Sequence, residues 1–197
     1  MVALLVLLRG AAFLVAVPHG LQASYFSAPQ WAQPMAARID GRVSFGREND
    51  PQVPALSVVW QGYMPARSGV DRQAFYLRGS GVTAELWVDG LQVVHLEPAA
   101  AEEVQHAPWP AALHRLIVRM TTTPDRPPQF DAGFVTTDGT RVPFDENRVL
   151  VKPASSWRVA ADGVFWPLIP WLNGFLLVFL AWGAWRAVDF MVPPEEQ

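Results

Sequence analysis

Four histidines, His19, His95, His106 and His114, are the first side chains in which to look for chemistry. A transition-metal site takes its ligands from one face, in spacings such as H-x-x-x-H or H-x-x-E-H. None of the four stands in such a spacing, so each reads as a surface or strand residue. There is no cysteine, hence no thiolate metal site, no disulfide framework and no cysteine nucleophile. Gly79-Ser80-Gly81 sets its glycines directly beside the serine, whereas the G-x-S-x-G nucleophile elbow needs one residue on each side. No glycine-rich loop runs into Lys-Ser or Lys-Thr to cradle a phosphate. Asp145 and Glu146 are adjacent carboxylates, and Asp131 can come near them in a fold. A glycosidase, however, sets two carboxyls across a sugar-binding cleft, and nothing in the sequence marks a cleft. The chain therefore reads as not an enzyme, with no resident metal or cofactor. A net charge of −3 gives no electrostatic case for nucleic acid.

The other side chains of interest sit in two apolar segments at the ends. Val2 to Val17 is apolar except for Arg9 and Gly10, and Pro18, His19 and Gly20 end it. About 17 residues is the short limit for a membrane-spanning helix. A cleaved signal peptide is the competing reading, but it wants its basic residues before the apolar run and a clear cleavage site after it. Arg9 lies in the middle of the run, and Leu21-Gln22-Ala23 matches a cleavage site weakly. A retained signal anchor over 1–18 is the expectation. An arginine near a helix centre costs about 2.5–3.5 kcal/mol on insertion scales. Arg9 then either snorkels to a headgroup or pairs with an acidic group or carbonyl of a partner subunit. Val164 to Trp185 holds no charged residue, and the apolar stretch reaches Val188, long enough for about 30 Å of hydrocarbon. Trp166 and Trp171 lie near one end and Trp182 and Trp185 near the other, as aromatic belts do at two interfaces. Those tryptophans either anchor the span or pack against a neighbouring membrane protein, its apolar cofactors or lipids. Asn173-Gly174 supports the second use, because small and polar residues gather where membrane helices touch. Arg186 closes the span, and positive-inside counting puts it, with the tail 189–197, in the cytoplasm.

Between these segments the pattern is β. Leu86-Trp87-Val88-Asp89-Gly90-Leu91-Gln92-Val93-Val94 predicts two strands joined by an Asp-Gly turn. A type I′ turn needs positive φ at both central residues, which Gly adopts freely. Asp138-Gly139 predicts a second hairpin between 130–136 and 140–144. Further strands are expected over 21–26, 38–45, 56–63, 73–78 and 113–120, with loops over 46–54, 65–69, 97–110 and 121–129. Trp60 and Trp87 fall on central strands, as core or sheet-surface packing. About nine or ten short strands without a helix predict an antiparallel β-sandwich. The domain order is then helix 1–18, sandwich 20–153, linker 154–163, helix 164–188 and tail.

The order of these motifs resembles the β-sandwich module first known from the N-terminal part of anthrax protective antigen. The residues that carry the resemblance are Gly20 to Phe26, then Trp60, Gly62 and Tyr63 in Val58-Val59-Trp60-Gln61-Gly62-Tyr63, then Phe75-Tyr76-Leu77, then Trp87, Asp89 and Gly90, then Leu116-Ile117-Val118. It covers about Gly20 to Val151. The resemblance implies a sandwich used for carbohydrate contact or as a spacer. Sugar-binding adhesins of that family hold calcium with two adjacent aspartates just before the L-W-V-D-G strand. Here that stretch is Gly79-Ser80-Gly81-Val82-Thr83, with no carboxylate. A hard cation wants carboxylates among several oxygen ligands, so calcium is not expected, and Asp89 reads as a turn residue.

The leading expectation is a non-catalytic accessory subunit in the bacterial inner membrane. Its sandwich lies on the periplasmic side, and its partners are the bilayer and other membrane subunits, for instance of a photosynthetic or respiratory complex. The alternative is a membrane-tethered module that binds envelope polysaccharide, which an exposed row of aromatics on one sheet face favours.

Overall fold

A computed structural model describes residues 2–29, 31, 33–46, 56–66, 71–110, 112–124 and 126–191. The loop expected over 46–54, the turn over 65–69 and the tail over 189–197 fall largely outside them. The chain divides into two compact units, 18–153 and a second formed by 1–17 with 154–197.

The unit 18–153 is antiparallel β throughout. Its strands are β1 (Leu21–Phe26), β2 (Ala36–Asp40), β3 (Ser44–Phe45), β4 (Ser57–Pro65), β5 (Arg72–Ser80), β6 (Val82–Val88), β7 (Leu91–Leu96), β8 (Glu102–Pro108), β9 (Leu113–Thr122), β10 (Gln129–Val135) and β11 (Arg141–Pro143). A six-stranded sheet runs β2-β1-β4-β9-β6-β7, and a second runs β11-β10-β5-β8, with β3 also paired to β10. Period-two alternation decides which side chains meet between them. Val82, Ala84, Leu86 and Val88 of β6 and Leu116, Val118 and Met120 of β9 point inward. They meet Phe75 and Leu77 of β5 and Phe130, Ala132 and Phe134 of β10. Trp60 lies in this core, stacked on Phe130 with ring centroids 5.9 Å apart.

The motif residues have local reasons. Asp89 (φ 50) and Gly90 (φ 87) make the β6–β7 turn with both central residues left-handed, as a type I′ turn requires. Gly62 faces inward where an added Cβ would meet Val149 Cγ1 at 2.4 Å, and Tyr63 exchanges both backbone hydrogen bonds with Leu150 at 2.8 Å. Gly81 alone carries the chain from one sheet to the other, between Ser80 of β5 and Val82 of β6. It does so at φ 62, with a Cβ position 2.4 Å from the Arg126 carbonyl oxygen.

Two expectations for connecting segments are corrected. The loop expected over 97–110 contains β8, an edge strand whose exposures scarcely alternate and whose one buried residue is Ala107. An edge strand needs one partner and little apolar surface, so its sequence carries a faint signal. The linker expected over 154–163 is mostly helix: α2 spans Ser156–Phe165. Its charged residues hid it from a reading based on an uncharged run.

In the other unit, α1 spans Val2–Val15 and α3 spans Ile169–Met191, with a 3₁₀ turn at Trp166–Leu168 between α2 and α3. The 14 residues of α1 reach about 21 Å, short of the bilayer core. The helical run Ser156–Arg186 is long and apolar enough to cross a membrane. Pro167 and Pro170 thus lie within a continuous run rather than at its start, and the lost N–H groups tighten that turn to 3₁₀.

Candidate functional site

Strand order and register bring together a set of side chains on the outer face of the six-stranded sheet. Two neighbouring rows cross it. One is Ser24, Val59, Arg119, Glu85 and His95, each opposite the next on the adjacent strand. The other is Gln22, Gln61, Ile117, Trp87 and Gln92. The inward residues of these strands belong to the core, so alternation turns these outward.

Arg119 is the centre of this face. Its guanidinium carbon lies 4.9 Å from the centroid of Trp31 and 5.5 Å from that of Trp87. Trp87 sits diagonally across from Arg119 on β6, within reach of long side chains, and Trp31 comes over from the β1–β2 connection. Two indole faces hold the cation by the attraction of a positive charge for the ring quadrupole. Trp87 Nε1 donates to Glu85 Oε2 at 2.9 Å, which fixes the indole within its plane. The Arg119 side chain makes no hydrogen bond or ion pair with another described residue, and the two ring faces are its contacts there. Around it stand Glu85, His95, whose Nε2 lies 2.9 Å from Glu97 Oε1, and Gln61, whose Oε1 accepts from Arg115 at 3.1 Å. Trp31 is 39% exposed. Flat ring faces edged by amides, a carboxylate, an imidazole and a fixed guanidinium offer stacking and directed hydrogen bonds to a polar, ring-shaped ligand.

The sequence pointed to Trp87 but not to Trp31, Arg119 or Glu85. The strand expected over 113–120 contains Arg119 without setting it apart, and its stacking on Trp31 depends on a connection that no short-range pattern places.

Of the carboxylates considered for acid–base chemistry, those of Asp131 and Asp145 take hydrogen bonds away from this face. Asp131, 4% exposed, lies on the outer face of the second sheet. It accepts from Arg78 Nη2 at 2.8 Å, from Arg42 Nη2 at 3.4 Å and from the Tyr76 hydroxyl at 3.4 Å. Burial first, and the Asp131 charge second, push the Tyr76 hydroxyl up to about 12. Asp145 bridges Arg42 through its backbone and accepts the Asn147 N–H on its side chain. The Glu146 N–H donates to the Gly41 carbonyl at 2.7 Å. Among the described residues no group of three or more His, Asp or Glu side chains could hold a metal ion. In the Gly79–Thr83 stretch, Ser80 Oγ donates to the Pro127 carbonyl at 3.4 Å.

Two polar clusters brace the sandwich. Asp40 accepts from Tyr25 Oη at 2.6 Å, Arg38 Nε at 2.6 Å and the buried Trp60 Nε1 at 2.8 Å. Burial, with Asp40 adding to it, raises the Tyr25 hydroxyl far above its ordinary range. Arg38 and Asp40 point inward from the edge strand β2, an arrangement that discourages edge pairing. At the central hairpin, Asp89 is more than a turn residue. Its Oδ2 faces His114 Nδ1 at 2.6 Å, and its Oδ1 accepts the Arg115 N–H at 2.8 Å. His114 is 2% exposed, donates from Nε2 to the Pro110 carbonyl at 2.8 Å and stacks on Trp109 at 3.9 Å.

The residues marked for the membrane lie in the helical unit. Arg9 Nε donates to Asn173 Oδ1 at 3.0 Å, so its acceptor is an amide oxygen of the same chain. Arg158 Nη2 donates to the Ala16 carbonyl at 2.9 Å, and Asp162, 4% exposed, accepts the Val17 N–H at 3.1 Å. Arg158 and Asp162 are four apart on α2 and together hold the chain as it leaves α1. Trp171, Trp182 and Trp185 are 69%, 55% and 61% exposed, and an added Cβ at Gly174 would meet nothing within 4 Å. Arg186 lies over the Trp182 ring at 5.6 Å.

No protein-family model matches the chain, and no curated protein does. Solved structures do share its fold. An anti-sigma factor domain-containing protein has a TM-score of 0.58 at 15% identity, over 69% of this chain and 49% of that one. The PA14 domain of the MpAFP antifreeze protein has a TM-score of 0.53 at 13% identity, over 68% and 91%. An epithelial adhesin A domain from Candida glabrata, in complex with beta-lactose, has a TM-score of 0.50 at 12% identity, over 68% and 88%. The chain spans about half the length of the anti-sigma factor domain-containing protein. At these identities the likeness is one of fold alone.

Proposed function

We propose that this chain is a non-catalytic, membrane-tethered β-sandwich of the protective-antigen type that binds envelope carbohydrate on the outer face of its six-stranded sheet. The observation that carries this reading is the pair of rows that sets Trp87 and Arg119, with Trp31, among Gln22, Gln61, Gln92, Glu85 and His95. The PA14 and adhesin folds support it at the level of architecture. The tether is the run Ser156–Arg186, with α1 beside it. Arg186 supports, by the positive-inside rule, a far end in the cytoplasm and a sandwich outside the bacterial inner membrane. No calcium or other cofactor takes part.

The test is binding of the intact chain, in lipid nanodiscs, to an array of envelope polysaccharides. Chelator-resistant binding of a defined glycan, without its hydrolysis, is expected. Hydrolysis, or no binding to any glycan, sinks the reading.

An accessory subunit of a larger membrane complex is the second reading. The exposed Trp171, Leu177 and Val178 on α3 favour it, because such a surface accepts a neighbouring helix as readily as lipid. Gentle detergent extraction, followed by mass spectrometry of what co-migrates, tests it. A lone 22 kDa species would rule it out.

A further inference from the structure

We propose that the Trp31–Arg119–Trp87 stack is a binding site for the carboxylate of an acidic saccharide, a uronate-bearing glycan. This rests on the carbohydrate reading above and names its ligand class. Three observations on the sheet face carry it. First, Arg119 lies between two indoles at 4.9 and 5.5 Å, so its plane is set before any ligand arrives. A guanidinium held this way loses little side-chain freedom on binding, and its fork of N–H donors matches a carboxylate in two parallel hydrogen bonds.

Second, the Arg119 side chain has no anionic partner among the described residues. Glu85 stands directly opposite it on β6, the position from which a cross-strand ion pair would form. Glu85 instead accepts from Trp87 Nε1 at 2.9 Å and lies 4.0 Å from His95 Nδ1. The arginines on the other sheet, Arg42 and Arg78, both reach Asp131. Among the described residues, Arg119 is therefore a positive charge without an anionic partner, held only by ring faces.

Third, the flanking row supplies what a saccharide needs beside its carboxylate. Gln61 and Gln22 lie on one side of Ile117 and Trp87, and Gln92 on the other. Side-chain amides both donate and accept, as hydroxyl groups require. The half-exposed Trp31 offers an indole to the apolar side of a pyranose ring.

The experiment measures binding of the full chain in nanodiscs to three probes: a galacturonate hexamer, a galactose hexamer and hexaglutamate. The galacturonate hexamer is expected to bind tightest. Arg119→Gln and, separately, Trp31→Ala are each expected to weaken it by about 10- to 100-fold, the worth of a charge-assisted hydrogen bond pair or a stacked ring. Near-UV circular dichroism checks that both variants keep the fold. If the galactose hexamer binds as tightly as the galacturonate hexamer, and Arg119→Gln changes neither, the carbohydrate reading stands and this inference falls. Equal binding of hexaglutamate also overturns it, in favour of an acidic protein segment. If neither saccharide binds, this inference falls, and the array of envelope polysaccharides decides the carbohydrate reading.

Discussion

On the outer face of the second sheet, Asp131 takes two guanidinium groups and a tyrosine hydroxyl, and only 4% of it reaches solvent. On the outer face of the six-stranded sheet, Arg119 takes two indoles and no carboxylate. Each face centres on one charged side chain beside aromatic rings, and the difference lies in which charge has its complement. A closed cluster is bound into the stability of the fold, because its buried carboxylate left alone would be a poorly solvated charge. An open one contributes little to folding and leaves its donors for a ligand. Charged residues on a sheet can thus be sorted by what they lack rather than by what they are.

The contrast is breakable by mutation. Asp131→Ala leaves Arg42 and Arg78 facing each other without an anion. A loss of about 2–3 kcal/mol in urea unfolding is expected, at the low end for buried pairs because both arginines are near half exposed. A loss below about 0.5 kcal/mol would show that the cluster is solvated and the contrast false. His114→Ala tests the second closed cluster. It removes the contacts to Asp89 and Pro110 and the stack on Trp109, and about 2 kcal/mol is expected by the same measurement.

The Tyr76 hydroxyl gives a smaller, pH-dependent effect. Its folded pKa is pushed up to about 12, above the ordinary tyrosine value near 10. The unfolded chain therefore releases this proton first, so the contribution is full below about pH 10 and is lost as pH rises toward about 12. Tyr76→Phe should flatten the fall of stability across that window, and an unchanged slope would place the titration elsewhere. Arg119→Gln is the smallest expected change. Urea unfolding should move by under about 0.5 kcal/mol, as for other surface substitutions without a paired charge. A loss as large as that of Asp131→Ala would mean that Arg119 braces the fold, and that the two faces are alike.

Much of the sandwich was legible in the chain. Leu21–Tyr25 alternates, and Asp89-Gly90 marks its turn through two left-handed residues, whereas at Asp138-Gly139 only the glycine is left-handed. These signals are local, with causes inside a few residues. The β8 edge strand was missed because its residues scarcely alternate, and α2 because its charged residues interrupt the apolar run; each is held by partners far away in sequence. Asp89 shows the boundary within one residue. Its place in a turn followed from its neighbour Gly90, but its grip on His114 spans 25 positions and needed the strand order β9-β6-β7.

By itself the sequence determined the local conformations, the apolar ends, the absence of cysteine chemistry and the alternation that assigns each strand residue to a face. Those properties depend on φ and ψ preferences and on the period of a strand, which act over a few residues. Only the tertiary structure decided which outward residues became neighbours. Register set Arg119 opposite Glu85 and diagonal to Trp87, and the path of the β1–β2 connection laid Trp31 over it. A binding face on a sheet is made across strands, perpendicular to the chain, and so no stretch of sequence contains it.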